Sequence, residues 1–264
     1  MYFNIERTNV NLGKKIMLIA DIHYYHKYNI RILDGLIMYA KQEKPDYICI
    51  AGDVFDNYNE SINIKSKILD NCIEDLSHIA PVLIILGNHD TRVKKVEHDV
   101  IPTEFLNRIS LLKNVYLLGS NSLTKNNITF YGYNAKYNYY KSREKKIQLL
   151  EDDFHIETKK GYNILVAHSP INLTKSDVYD NLKLDRFNLI LCGHMHNGLM
   201  PHNISGNMGL VSPSRKPFPP LARGTLKYKN TYFVVTGGVV KFSHAAHIFQ
   251  VFNSLYPVSI TIIQ

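Results

Sequence analysis

The chain has 264 residues, enough for one large domain or two small ones with a sizeable core. Its 31 basic and 23 acidic residues give a formal charge of +8, which favours anionic partners such as phosphate esters, nucleic acid or acidic lipid without choosing among them. Three cysteines in apolar surroundings, an odd number with no CxxC pair, indicate neither a disulfide framework nor a cysteine zinc site. The N-terminal stretch shows neither a signal peptide nor a spanning helix, so we expect a cytoplasmic protein.

Five short runs of apolar residues recur along the chain, each about as long as a β-strand. They are rich in β-branched residues and apolar on both faces, which is typical of strands in a sheet that is covered on both sides. The runs are Ile16–Ala20, Tyr47–Ala51, Val82–Leu86, Asn163–Ala167 and Leu189–Cys192.

Helical patterns separate the first three runs. Apolar residues at helical spacing predict one helix around Leu33–Ala40, and Ser61 is expected to cap a second whose apolar stripe ends near Leu76. Further helices are expected near Thr103–Leu112 and over Ser142–Asp153. This alternation predicts right-handed crossovers and a parallel core.

The last third of the chain has a different character. Residues 199–224 read as a long loop, in which Pro217–Arg223 could flank a substrate entrance. A hairpin over Leu226–Val235 and a final strand over Pro257–Ile263 follow. No linker divides the chain, so residues 1–264 are expected to form a single domain.

Each apolar run is followed at once by residues that bind metals, and the carboxyl ends of parallel strands meet at one edge of a sheet. Taken singly, most of these residues would be turn or cap residues, but five such positions in the same relation to a strand indicate one site. In chain order they are Asp21 and His23, then Asp53 and Asp56, then Asn88, His89 and Asp90, then His168, and finally His194 and His196.

The histidine pair in GHMH (193–196) has its own expected geometry. Gly193 should let the backbone turn tightly, and His194 and His196 should project the same way from an extended segment while Met195 packs elsewhere.

The types of ligand indicate the type of ion. Histidine, carboxylate and an amide oxygen suit Mn, Fe or Zn. There are too many ligands for one tetrahedral ion and about enough for two ions that share a carboxylate, an arrangement that can clamp a phosphoryl group.

The ordered blocks DIH (21–23), GDVFD (52–56), GNHD (87–90), AHSP (167–170) and GHMH (193–196) resemble those of the calcineurin-like metallophosphoesterase superfamily. The resemblance implies an α/β fold, an α/β/β/α sandwich of two mixed sheets flanked by helices. It also implies hydrolysis of mono-, di- or pyrophosphate ester bonds by a dinuclear centre, with manganese favoured, and a hydroxide held between the ions. GHMHNGLMP and YPVSITII look more loosely like a bacterial membrane-associated subgroup, some of whose members hydrolyse UDP-diacylglucosamine. Members of that subgroup often carry an N-terminal membrane anchor, which is not expected here.

The resemblance also implies a role for each residue. Asp21, His23 and His196 hold one ion, whereas Asn88, His168 and His194 hold the other. Asp53 bridges both ions. His89 protonates the leaving oxygen, and Asp90, or Asp56 in its place, orients the imidazole of His89; for both acidic residues loop capping is the competing interpretation.

Three alternatives stay open. The same chemistry could serve a nuclease, a cyclic-nucleotide phosphodiesterase, a protein phosphatase or a nucleotide-sugar pyrophosphatase. The fold could also be a non-catalytic metal-binding scaffold or a metal-stabilised structural domain. A phosphate-ester substrate is expected, with peripheral contact to an anionic membrane left open; nucleic acid is not indicated, and the oligomeric state is not predicted.

Overall fold

The structure, a computed structural model, describes residues 3–24, 30–55, 67–91, 103–119, 121–136, 139–140, 154–170, 176–199, 206–213, 217–239 and 258–264. Its strands are β1 (Asn4–Thr8), β2 (Ile16–Ile19), β3 (Tyr47–Ala51), β4 (Val82–Ile85), β5 (Val115–Leu117), β6 (Ser122–Lys125), β7 (Ile128–Tyr133), β8 (Tyr162–Ala167), β9 (Leu189–Cys192), β10 (Gly224–Tyr228), β11 (Thr231–Val235) and β12 (Ser259–Ile263). The helices are α1 (Ile30–Glu43), α2 (Lys67–Ser77), α3 (Thr103–Ser110) and α4 (Ser176–Asn181), with short 3-10 turns at Leu184–Arg186 and His196–Leu199.

Two six-stranded mixed sheets form the centre of the molecule. The first has the strand order β1-β12-β2-β3-β4-β5, and only its β12–β2 pair is antiparallel. The second has the order β10-β11-β9-β8-β7-β6, with antiparallel pairs at its two edges. The β2–β3–β4 and β7–β8–β9 segments are therefore the parallel centres of the two sheets.

Side chains that alternate along each central strand supply two different layers of the core. In β3, Cys49 faces the second sheet, whereas Ile48 and Ile50 pack with α1 and α2. In β9, Leu191 lies between the sheets and Ile190 packs beneath α4. This alternation produces the α/β/β/α sandwich that the sequence predicts, and it explains why the central strands are apolar on both faces.

The predicted elements are confirmed where the structure describes them. All five apolar runs are strands, the helices around Leu33–Ala40 and Thr103–Leu112 are present, and so are the hairpin and the last strand. The expected cap at Ser61 and the helix over Ser142–Asp153 lie outside the described residues. The prediction missed β1, β5, β6 and β7; the first three are edge strands, and β7 is the neighbour of β6.

Among the described residues, no helix combines the length and the apolar character needed to cross a membrane.

Candidate metal centre

Hydrogen bonds made by predicted site residues join the two sheets at the carboxyl ends of their central strands. The backbone N–H of His194, after β9, donates to both carboxylate oxygens of Asp21, after β2, at 3.0 and 3.1 Å. The imidazole of His168, after β8, bonds through Nδ1 to the carbonyl oxygen of Ala51 at 2.8 Å. Residues from both sheets therefore meet at one edge of the sandwich.

A first group of ligand atoms comes from Asp21, His23, Asp53 and His196, and these atoms lie within 4.8 Å of one another. His23 Nε2 lies 3.3 Å from His196 Nε2 and 3.5 Å from Asp53 Oδ2. His196 Nε2 lies 3.5 Å from Asp21 Oδ1. Two ring nitrogens and two carboxylates that face a common point form a site for a cation.

A second group shares Asp53 with the first and adds His168 and His194. His168 Nε2 lies 3.1 Å from Asp53 Oδ2 and 3.1 Å from His194 Nδ1. Since a carbonyl oxygen only accepts, Nδ1 of His168 donates to Ala51, and the neutral ring carries its lone pair on Nε2, toward the other two ligand atoms. Asp53 is thus common to the two groups.

Two buried oxygen atoms at this edge of the sandwich indicate that cations fit the site. Asn88 Oδ1 accepts no hydrogen bond from the described residues, and Asp53 Oδ2 accepts none while the His168 ring is neutral. A buried acceptor without a donor costs about 1–3 kcal/mol, and a cation removes that cost for a carboxylate or an amide oxygen. Asn88, the predicted amide ligand, therefore has its oxygen in the state that a metal ligand requires.

Burial and neighbouring charges shift the pKa values of these groups. Burial, then the charge of His168, holds the pKa of His194 well below its usual value. Burial also opposes protonation of His168, but the Asp53 carboxylate outweighs it and raises the pKa of His168 to about 9. Burial likewise disfavours the charge on Asp53, yet His168 lowers the pKa of Asp53 well below its usual range. An ionised Asp53 and a neutral His194 are the forms that bind a cation.

His89 lies beside the first group and is only partly buried. Its backbone N–H donates to Asp53 Oδ1 at 2.7 Å, and its ring centroid is 4.6 Å from that of His23, edge to face. The loop after β4 is thus fixed to Asp53, which places the His89 imidazole against the ligand group.

Asp90 takes the capping role that the sequence offers as the competing interpretation. Its two carboxylate oxygens accept hydrogen bonds from the backbone N–H of Gly87, at 2.7 Å, and of Phe55, at 2.8 Å. Burial, and then the Asp53 carboxylate, raises the pKa of Asp90 to about 7. These bonds are those of a loop cap, so Asp90 holds the loop that carries His89, and its action on the His89 imidazole stays a prediction. Asp56, the alternative partner, lies outside the described residues.

The backbone at the ligands is left-handed. Five of the predicted ligands have positive φ: Asp21 (55°), His23 (44°), Asp53 (51°), His194 (70°) and His196 (45°). Such residues cost of order 1–3 kcal/mol each and persist where surrounding contacts fix them. The expectation that His194 and His196 project from an extended segment is therefore wrong; the left-handed turns send one ring to each group, and Met195 is buried as expected.

Two glycines leave the space that these ligands occupy. Gly193 does not have positive φ; a Cβ there would collide with the Ala20 side chain and lie 3.2 Å from Asp21 Oδ2, so close approach, not turn geometry, requires glycine. Gly238, which follows β11, does have a positive φ of 80°, and a Cβ there would lie 2.5 Å from Asp21 Oδ2. Sequence reasoning missed Gly238, since only the parallel pairing of β11 with β9 brings it to the site.

Comparison with known proteins agrees with this fold. The chain belongs to the calcineurin-like phosphoesterase family, whose model matches residues 14–198.

Two curated relatives match parts of the chain. The phosphodiesterase YaeI of Escherichia coli is 28% identical over 87 residues, which are 33% of this chain and 31% of that protein. The uncharacterized metallophosphoesterase Cj0846 of Campylobacter jejuni is 26% identical over 196 residues, 74% of this chain and 47% of that protein. The chain thus spans about a third to a half of the length of these relatives.

A solved structure shares the fold. The crystal structure of a dimetal phosphatase from Danio rerio superposes with a TM-score of 0.50 over 85% of this chain and 87% of that one, at 12% sequence identity. The residue cluster described above and the family membership together support binding of divalent metal ions.

Proposed function

We propose that the protein hydrolyses phosphate esters with two divalent cations, one in each ligand group and with Asp53 between them. The observation that carries the proposal is the sharing of Asp53 by two histidine-containing groups. One carboxylate that serves both groups would fix the distance between the ions and partly neutralise each. Histidine, carboxylate and amide ligands suit Mn, Fe or Zn, and of these we propose manganese.

The metals supply Lewis acidity toward the phosphoryl oxygens and lower the pKa of water. The residues of the chain do the rest. Asp21, His23 and His196 would hold one ion, and Asn88, His168 and His194 the other. Asp53 orients the loop after β4 by accepting from the His89 backbone, and the His89 imidazole would donate a proton to the leaving oxygen.

The substrate class is proposed from the relatives and from charge. Because one relative is named a phosphodiesterase, we propose diesters first, with monoesters and pyrophosphates as the other candidates. The formal charge of +8 is consistent with an anionic substrate. Contact with an anionic membrane stays a prediction that the structure does not test.

The proposal is tested with purified protein, Mn²⁺, and a panel of phosphodiesters and phosphomonoesters with good and poor leaving groups. We expect turnover that depends on Mn²⁺. The His89→Ala variant should keep both ions and lose about 10²–10⁴-fold in rate on the poor leaving group, since removal of a general acid matters most there. The exposed His78, in the turn that follows α2, gives the matched control: His78→Ala should behave as wild type.

Two outcomes would contradict parts of this proposal. Bound ions without turnover on any ester would favour the non-catalytic scaffold. A His89→Ala variant that cleaves the poor leaving group at the wild-type rate would show that His89 is not the acid.

A further inference from the structure

Arg223 lies in the loop between β9 and β10, and its side chain is completely buried. Arginine is rarely buried in this way, because removing a guanidinium from water costs several kcal/mol unless its N–H groups meet acceptors. The sequence suggested only that this segment flanks a substrate entrance. The structure shows instead that Arg223 lies beneath the turn that carries His196.

Two backbone carbonyls from different segments accept hydrogen bonds from Arg223. One guanidinium nitrogen donates to the carbonyl oxygen of Asn197 at 2.9 Å, and Nε donates to that of Gly206 at 2.8 Å. Asn197 directly follows His196 in the chain. The planar fork of arginine can reach two carbonyls at once, which the single ammonium of lysine does not reproduce.

The next carbonyl in the same turn is bound by the same loop. The backbone N–H groups of Leu210 and Val211 donate to Gly198 O at 2.7 and 3.2 Å. Ala222, next to Arg223, donates its N–H to Asn207 O at 2.7 Å, which closes the loop on itself. Residues 206–211 and 222–223 thus form a platform on which the turn rests.

This turn needs external support. His196, Asn197 and Gly198 have φ values of 45°, 57° and 62°, three left-handed residues in succession. For His196 this conformation costs roughly 1–2 kcal/mol, whereas asparagine and glycine adopt it more readily. The conformation matters because it places His196 Nε2 3.5 Å from Asp21 Oδ1 and 3.3 Å from His23 Nε2.

We propose that Arg223 is a positioning residue for the first metal-binding group: its bond to Asn197 O fixes the left-handed turn that aims His196 at the ion. This inference rests on the proposed function, because it assumes that the group binds a cation. It predicts that a change in the loop around Arg223 weakens binding of the ion held by His23 and His196. Binding of the ion held by His168 and His194 should be affected much less.

Binding of Mn²⁺ to variants tests the proposal without measuring activity. In Arg223→Met, equilibrium dialysis should show about 10–100-fold weaker binding of one ion, the same ion that His196→Ala loses, as expected when a group that orients a ligand is removed. Binding of the ion that His194→Ala loses should change little. Arg223→Lys should show an intermediate loss.

Arg186 supplies the matched control. It is a partly buried arginine that donates to the carbonyl of Leu182 and stacks on Phe154 and Phe187, away from the ligand groups. Arg186→Met should therefore bind both ions as wild type does. Equal weakening of both ions in Arg223→Met, or no weakening, would overturn the positioning role.

A second measurement uses the wild-type protein, in case the Arg223 variants do not fold. Coupling is reciprocal, so Mn²⁺ should slow amide hydrogen exchange at Gly198, Leu210 and Ala222 in wild type but not in His196→Ala. If dialysis shows two bound ions and exchange at these amides is unchanged, Arg223 does not couple the loop to the ion, while the proposed function stands. If no Mn²⁺ binds at all, the proposed function itself fails.

Discussion

Asp53 is the residue whose surroundings determine the chemistry of the site. One of its oxygens accepts the His89 N–H and the other lies toward His23 and His168. Although the side chain is only 1% exposed, it stays ionised because histidines surround it. A buried carboxylate held in this form is stable only with positive charge nearby, supplied either by protonated histidine or by cations.

When a cation binds beside Asp53, its charge replaces the positive charge of protonated His168. This exchange makes metal binding depend on pH. Without metal, His168 keeps its proton up to its raised pKa of about 9, against 6.5 in an unperturbed histidine. Its contribution to the stability of the metal-free fold is full below pH 6.5 and is lost as the pH rises through 9. Because a cation must displace this proton, Mn²⁺ affinity should rise by roughly tenfold per pH unit toward pH 9 and then level off.

Calorimetric titration with Mn²⁺ across this pH range, together with a count of the protons released, provides the check. The His78→Ala variant should reproduce the wild-type profile. An affinity that does not change between pH 6.5 and 9 would show that His168 is already neutral in the metal-free protein.

Six of the predicted ligands lie together, as expected of residues that follow apolar runs directly, because parallel strands end at the same edge. The sequence named loop capping for Asp90 but not its partners, because one of them, Phe55, lies 35 positions away. Nor did it predict the left-handed backbone at Asp21 and His194, which surrounding contacts impose and which residue type favours only weakly.

At the level of strands and loops, the site depends on close approach between the two sheets. Gly193, at the end of β9, lies against Ala20, at the end of β2, with no room for a side chain. The ends of the central strands can therefore bring Asp21 of one sheet within bonding distance of the His194 backbone of the other.

A methyl group at Gly193 should separate these strand ends. We expect Gly193→Ala to lower the free energy of unfolding by about 1–3 kcal/mol, as overpacking does, and to weaken Mn²⁺ binding because Asp21 moves away from His194. Chemical denaturation and equilibrium dialysis measure the two effects. Gly13→Ala is the control: its methyl would meet no atom within 4 Å, so any loss of stability should leave the metal affinity unchanged.

Wild-type Mn²⁺ affinity in Gly193→Ala would contradict this interpretation of the sheet contact.

Two of the strands that the sequence missed, β1 and β6, share a physical cause. β6 is largely exposed and β1 is half-buried, so neither shows the continuous apolar pattern of a central strand. Their pairing with β7 and β12 depends on the sheet as a whole.

Across the whole molecule, the C-terminal part completes both sheets. β12 pairs between β1 and β2 in the first sheet, and β10 and β11 extend the second. The family match ends at residue 198, before these strands, yet Gly238 and Arg223 lie beside the ligand groups. We therefore propose that residues 1–264 act as a single domain, with the part after residue 198 supporting the metal centre.

Anomalous X-ray diffraction from crystals grown with Mn²⁺ would show whether Asp53 lies between two cations. We expect two anomalous peaks roughly 3.5–4 Å apart, both beside Asp53. His196→Ala should lose the peak near His23, and His194→Ala the peak near His168. A single peak bound by all the ligands, or two peaks that both survive each substitution, would contradict the account.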